Sequence, residues 1–109
     1  MPLSFENLAN AFEAKFAHDE EVRFRMIARR DKLFAQWLSA EHKLPATEAS
    51  SLHDAVLAVR DGPGHDAALL TLVRTRFARD QGSLPNNLEA ALASCTAKAQ
   101  EQILNQVNS

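Results

Sequence analysis

The sequence contains few of the residues on which disulfide, thiolate-metal and phosphate-loop chemistry depends. Its single cysteine, Cys95, excludes an internal disulfide and a thiolate zinc cluster. The three glycines form no phosphate-binding or dinucleotide-binding loop, and no serine-nucleophile elbow is present. Apolar runs are too short to span a membrane, and no basic residue precedes Lys15 as a signal peptide requires. We therefore expect a cytoplasmic protein that is not inserted in a membrane and performs no nucleophilic catalysis.

The sequence also lacks a large excess of positive or negative charge. The 12 basic and 14 acidic residues leave a formal charge of -2, so we expect no nucleic-acid partner. With 46% hydrophobic and 24% charged residues, the chain has an ordinary globular composition. Its 109 residues suffice for one small domain.

Apolar residues recur at helical spacing along the chain, and strand alternation is absent. Three stripes in the C-terminal part contain Ala49, Leu52, Val56 and Val59, then Leu69, Leu72, Val73 and Phe77, then Leu88, Leu92, Cys95, Ala99 and Ile103. Turn residues at 62–64 and 81–85 separate them. Asn86 and Glu89 have the spacing of a capping box for the last helix.

The region between Pro2 and Pro45 contains no glycine or proline, so its composition does not end a helix there. A single helix over this region would be roughly 58 Å long. A compact chain of this size has a radius of gyration of only about 13 Å. Such a helix must either break or extend beyond the body.

The apolar pattern indicates a break. The first stripe contains Phe5, Leu8, Phe12 and Phe16. The next begins at Val22, out of phase with the first, and the largely polar residues 17–21 between them are typical of a new helix N-terminus. We predict an all-α protein with a four-helix bundle-like body at residues 19–109, a long first body helix, and an N-terminal arm at residues 1–18.

The sequence does not determine which surface this arm packs against. Three of the chain's seven aromatic residues lie in it. An amphipathic aromatic segment either contacts a partner or folds back onto its own core. Periodicity does not decide between the two, because it reports burial and not the identity of the covering surface.

A basic run in the next helix is a candidate phosphate site. Arg25, Arg29 and Lys32 share one helical face and could bind the phosphates of a nucleotide. The competing interpretation is a solvated face, because residues 19–43 contain six basic and five acidic side chains and form local pairs. We favour the solvated face.

Metal binding has weak support. Three His-Asp dipeptides occur, at residues 18–19, 53–54 and 65–66, and similar pairs hold metals in helical phosphohydrolases. Two of them lie at predicted helix starts, where aspartate is expected for capping. We expect no metal, no other cofactor and no catalytic residue, and we keep a small metal phosphohydrolase only as an unfavoured alternative.

Residues 12–24 read Phe-Glu-Ala-Lys-Phe-Ala-His-Asp-Glu-Glu-Val-Arg-Phe, and residues 28–34 read Ala-Arg-Arg-Asp-Lys-Leu-Phe. This combination strongly resembles the zeta subunit family of the alphaproteobacterial F-type ATP synthase, whose members are ATPase inhibitors. The resemblance is close over residues 5–37. It continues through Gly62-Pro63-Gly64, which is similar to the family's Glu-Pro-Gly turn, to the last helix.

The resemblance implies a non-catalytic regulatory subunit, peripheral to the inner membrane through the synthase. Its N-terminal segment is expected to enter the catalytic head between two subunits, beside the rotating shaft, and to oppose ATP hydrolysis. The candidate partner contacts are Phe5, Leu8, Phe12, Lys15, Phe16 and His18. The sequence departs from the family at residues 7–10, where relatives carry a charged run, and at Gly62, where they carry an acid. The alternative is a helical module that binds a nucleotide through Arg25, Arg29 and Lys32 without inhibiting hydrolysis.

Overall fold

The computed structural model describes residues 5–82 and 85–108, without the side chains of Phe5, Val107 and Asn108. Those residues form five helices and no strand, which confirms the predicted all-α class. The helices are α1 (Phe5–Phe16), α2 (Glu20–Glu41), α3 (Ala46–Leu57), α4 (His65–Asp80) and α5 (Leu88–Asn108). None of the described helices has the length and apolar content that crossing a lipid bilayer requires.

The break between α1 and α2 lies where the apolar pattern changes phase. Asp19 is the N-cap of α2, and its side chain accepts a hydrogen bond from the Val22 N–H at 3.1 Å. Glu20 and Glu21 follow in the first turn, where carboxylates interact favourably with the helix dipole. The chain therefore ends one helix and starts another within residues 17–19, and α2 is the predicted long helix.

The main core lies among α2, α3, α4 and α5. Its buried members are Phe34, Ala35, Leu38, Leu52, Val56, Leu69, Val73, Phe77, Leu88, Leu92 and Cys95. Burial raises the pKa of the Cys95 thiol, which makes it a small buried hydrophobe and not a nucleophile. No α1 residue whose side chain is described belongs to this core cluster.

A second apolar cluster holds α1 against the rest of the molecule. Phe12 and Phe16 pack with Val22 and Met26 of α2 and with Ala99 and Ile103 of α5. The two phenylalanine rings lie 5.1 Å apart between their centroids. In this structure α1 thus folds back onto the body. Whether residues 19–109 fold without residues 1–18 stays a prediction.

The turn between α3 and α4 positions the first residue of α4. Gly62 and Gly64 have φ values of +105° and +84°, in the left-handed region that side chains with a Cβ rarely adopt. Gly64 is the N-cap of α4, and His65 follows it with its side chain buried against α2. The glycine-rich turn is therefore what directs His65 into the interior.

Candidate functional site

Five of the six candidate partner contacts separate into two groups. Leu8, Phe12 and Phe16 are buried, whereas Lys15 and His18 are exposed. The sixth, the Phe5 side chain, lies outside the described residues. The structure thus brings Leu8, Phe12 and Phe16 together on one face of α1, and α1 packs against α5 and α2.

The polar connections between α1 and α2 are weak. The Arg23 guanidinium donates to the Ala17 carbonyl at 3.3 Å and lies 3.9 Å from the Glu13 carboxylate. Both charged side chains are exposed, and exposed ion pairs contribute little to stability. Apolar burial is therefore what mainly holds α1 in place.

Two of the three basic phosphate candidates lie at one groove. Arg25 and Arg29 line a groove of about 180 Å³ between α2 and α5, together with Gln106. Arg29 donates a hydrogen bond to Gln102 Oε1 at 3.4 Å. When the Gln106 amide is oriented with its oxygen toward Arg29, both Arg29 Nη atoms lie 3.1 Å from the Gln106 oxygen. Lys32 is exposed and is not part of this groove.

Arg30, the residue after Arg29, is buried. It therefore does not belong to the solvated face that we favoured for the basic run. Arg30 is only 2% exposed, and its Nη2 donates to Asp31 Oδ1 at 2.9 Å and to Asp66 Oδ1 at 2.7 Å. Burial lowers the pKa of Arg30, but the bonds to the two carboxylates raise it by more, so its charge is retained. The signal was present in the sequence, because Arg30 stands four residues from both Met26 and Phe34 on the apolar face of α2.

His65 completes this buried network. Its Nε2 lies 2.6 Å from Asp31 Oδ2, and its Nδ1 lies 2.9 Å from the Arg60 carbonyl oxygen. Burial lowers the pKa of His65, but the hydrogen bonds to Arg60 and Asp31 outweigh burial, and the pKa is raised above 6.5. The network joins α2 to the start of α4.

The His-Asp dipeptides do not assemble into a metal centre. Among the described residues, no group of three or more histidine, cysteine, aspartate or glutamate side chains is placed to hold a metal ion. His65 and Asp66 instead bond to α2, at Asp31 and Arg30 respectively. The arrangement is that of a structural network.

Comparison with known proteins identifies the chain through its family. No curated protein and no solved structure matches it at a significant level. The family model of ATPase inhibitor subunit zeta matches residues 3–102, including α1, the break and the buried network. The protein therefore belongs to the ATPase inhibitor subunit zeta family.

Proposed function

We propose that this protein is a non-catalytic regulatory subunit that binds the catalytic head of the F-type ATP synthase and restrains ATP hydrolysis through residues 1–18. Membership of an ATPase inhibitor family supports the inhibitory role. The observation that supports the assignment to the N-terminal segment is that α1 is a separate helix, which packs on α2 and α5 through an apolar cluster distinct from the main core. The proposal locates the protein in the cytoplasm, held at the inner membrane only through the synthase.

Inhibition by this segment requires α1 to leave α5. The rings of Phe12 and Phe16 are buried, so they become available to a partner only when α1 is released. The apparent affinity for the head is then reduced by the fraction of molecules in which α1 is released. Lys15 and His18 are exposed in the closed form, so a partner can reach both side chains before α1 is released.

The released helix inhibits by occupying a site, without catalysing a reaction. An amphipathic helix in a groove between two subunits, beside the rotating shaft, opposes the conformational changes of hydrolysis simply by occupying the groove. A few aromatic side chains usually supply most of the binding energy, so Phe12 and Phe16 are worth about 1–3 kcal/mol each in the complex. Lys15 contributes mainly to the rate of encounter.

The test uses inhibitor-free synthase heads from the same organism and measures ATP hydrolysis at increasing inhibitor concentration. The full-length protein is expected to inhibit, a variant lacking residues 1–17 is not, and Phe12→Ala is expected to need about tenfold more protein for half-inhibition. Val73→Ala is the matched control, because it removes a buried side chain from the main core and leaves α1 unchanged. It should lower the melting temperature without weakening inhibition.

Two outcomes contradict parts of the proposal. If the deletion variant inhibits as strongly as the full-length protein, residues 1–17 are not the inhibitory element. If the full-length protein binds the heads and hydrolysis is unchanged, the Asn-Leu-Ala-Asn sequence at residues 7–10 has removed the inhibitory contact.

A second candidate function is nucleotide binding. The observation that favours it is the juxtaposition of Arg25 and Arg29 at the groove between α2 and α5. Titration with ATP and ADP, followed by NMR, is expected to shift the signals of residues around this groove if it binds phosphate. The absence of saturable shifts at millimolar nucleotide would eliminate this function.

A further inference from the structure

An open groove of about 820 Å³ lies between the start of α2 and the turn that leads into α4. Phe24 and Ile27 of α2 line one side, and residues 61–67 line the other. Phe24 is 55% exposed, and Phe24 and Leu57 are the exposed large hydrophobic side chains among the described residues. An exposed aromatic ring inside a groove is typical of a surface that a partner covers.

The unpaired charges of this groove are acidic, because its two basic side chains, Arg23 and His65, bond to Ala17 and Asp31. Glu20 and Asp61 line it, both exposed, and neither has a basic side chain within salt-bridge distance in the described part of the chain. The one arginine of the lining, Arg23, is turned toward α1, where it bonds to the Ala17 carbonyl. A partner therefore meets an apolar floor flanked by unpaired carboxylates.

The two walls of the groove are fixed relative to each other. The wall formed by the start of α4 is bonded to α2 through His65 and Asp31, with 2.6 Å between Nε2 and Oδ2. Asp66, which also lines the groove, bonds to Arg30 of α2. A groove held open by such bonds binds with little reorganisation. No described residue of α1 lines it, so the two walls that α2 and the turn before α4 form remain in place when α1 is released.

We infer that this groove docks a basic amphipathic helix on the surface of the catalytic head. An apolar side chain of that helix contacts Phe24 and Ile27, and flanking lysine or arginine side chains pair with Glu20 and Asp61. The identity of the partner protein rests on the proposed function, whereas the chemistry of the docked helix rests on the groove. Docking here anchors the body while residues 1–18 act elsewhere on the head, and two linked contacts raise the avidity of the complex.

The first experiment is photo-cross-linking of the full-length protein to purified heads. Benzoylphenylalanine in place of Phe24 is expected to cross-link efficiently to a head segment in which basic residues flank an apolar one. The same photoreactive residue in place of Leu57 is the matched control, because Leu57 is comparably exposed and does not line the groove. High salt is expected to reduce the cross-link, since charge pairing guides the contact.

The second experiment measures affinity and maximal inhibition separately. Phe24→Ala is expected to raise the concentration for half-inhibition about tenfold and to leave inhibition at saturation unchanged, because residues 1–18 are intact. Reversal of both acids, Glu20→Lys with Asp61→Lys, is expected to weaken binding further. Leu57→Ala and Glu101→Lys, which change exposed residues outside the groove, are expected to bind like the original protein.

The outcomes separate this inference from the proposed function. If the original protein and Phe24→Ala bind the heads equally, the groove is not the docking site, and the inhibitory role stands. If the cross-linked segment is acidic, or is a second copy of this chain, the inferred partner is wrong. If the original protein does not bind the heads at all, the proposed function and this docking site both fail.

Discussion

His65 Nε2 lies 2.6 Å from Asp31 Oδ2, in a contact between the start of α4 and the middle of α2. The other ring nitrogen faces the Arg60 carbonyl oxygen at 2.9 Å. A carboxylate and a carbonyl both accept hydrogen bonds, so both contacts are made together only when the ring carries two protons. The geometry therefore favours the imidazolium. It completes a charge-balanced group in which His65 and Arg30 face Asp31 and Asp66.

The first prediction is that stability falls as the pH rises above 6.5. The pKa of His65 is higher in the folded protein than the unfolded value of 6.5. The folded state therefore holds this proton more tightly, and its contribution to stability is complete below pH 6.5. It is lost as the pH rises through the folded-state pKa. Urea unfolding at a series of pH values should show this loss of stability in the original protein but not in His65→Gln.

The control for this prediction is His18→Gln, which removes an exposed histidine outside the network. It should keep the pH dependence of the original protein. An NMR titration gives the second readout, because His65 should titrate above 6.5 in the folded state. Titration of His65 at or below that value would show that the two hydrogen bonds do not hold the proton.

The second prediction concerns Asp31, the shared acceptor of the network. Asp31→Asn keeps the side-chain size but removes the anion that faces both Arg30 and His65. Leaving buried charges without their partner costs about 3 kcal/mol of unfolding free energy. Urea unfolding at neutral pH measures this loss. Glu101→Gln, an exposed acid on α5, is the control and should stay within about 0.5 kcal/mol of the original protein.

A further variant distinguishes a charge effect from a packing effect. Replacing three members, Arg30→Met with Asp31→Leu and His65→Gln, removes the buried charges of the network together. Such replacements are often neutral or stabilising, so the triple variant should be more stable than Asp31→Asn alone. If Asp31→Asn unfolds like the original protein, the network contributes nothing measurable.

The third prediction is that residues 19–109 fold without α1. Among the described side chains, none from α1 belongs to the main core, and the N-cap Asp19 remains when residues 1–17 are deleted. The deletion variant should keep helical circular dichroism and a cooperative melt. Its melting temperature should be lower, because Val22, Met26 and Ile103 lose the cover of Phe12 and Phe16. A molten or unfolded product would show that α1 is part of the essential core.

Local signals made most of the fold predictable from the sequence. The phase change after Phe16 and the acids at residues 19–21 predicted the helix break, because both act within a single turn. The start of α5 was predicted one residue early. Asn87, not Asn86, is the N-cap of α5, because the Asn87 carbonyl accepts a hydrogen bond from the Ala91 N–H at 2.9 Å. The expected capping acid, Glu89, instead pairs with Arg74 of α4.

The parts that the sequence left open depend on contacts between distant segments. The pattern of α1 predicted an apolar face, but only the packed structure shows that Ala99 and Ile103 cover it. Arg30 and Asp31 resembled part of a solvated charge run. The position of Arg30 on the apolar face of α2 indicated burial, but the bonds of this pair to α4 are visible only in the packed structure. His65 was considered as a weak metal ligand, and its bond to Asp31 spans 34 positions of sequence.

The fourth prediction tests whether the contact between α1 and α5 hides the residues that bind the head. Ile103 of α5 packs in the cluster with Phe12 but lies outside residues 1–18. Ile103→Ala should weaken the docking of α1, because removing a buried isoleucine leaves a cavity. Each 1.4 kcal/mol of weakened docking raises the released fraction by about tenfold while that fraction is small. The apparent affinity for the synthase heads should rise in proportion, and amide exchange in α1 should become faster.

Phe12→Ala weakens the same contact but also removes a side chain that the partner binds. It should therefore speed amide exchange in α1, as Ile103→Ala does, yet bind the heads more weakly than Ile103→Ala does. Leu92→Ala, in the main core, is the control and should change neither α1 exchange nor affinity. A gain in affinity from Ile103→Ala that is reduced or absent in Phe12→Ala follows only if that contact hides the binding residues. If Ile103→Ala speeds α1 exchange without tightening binding, α1 is not masked by α5, and the inhibitory contact lies outside its apolar face.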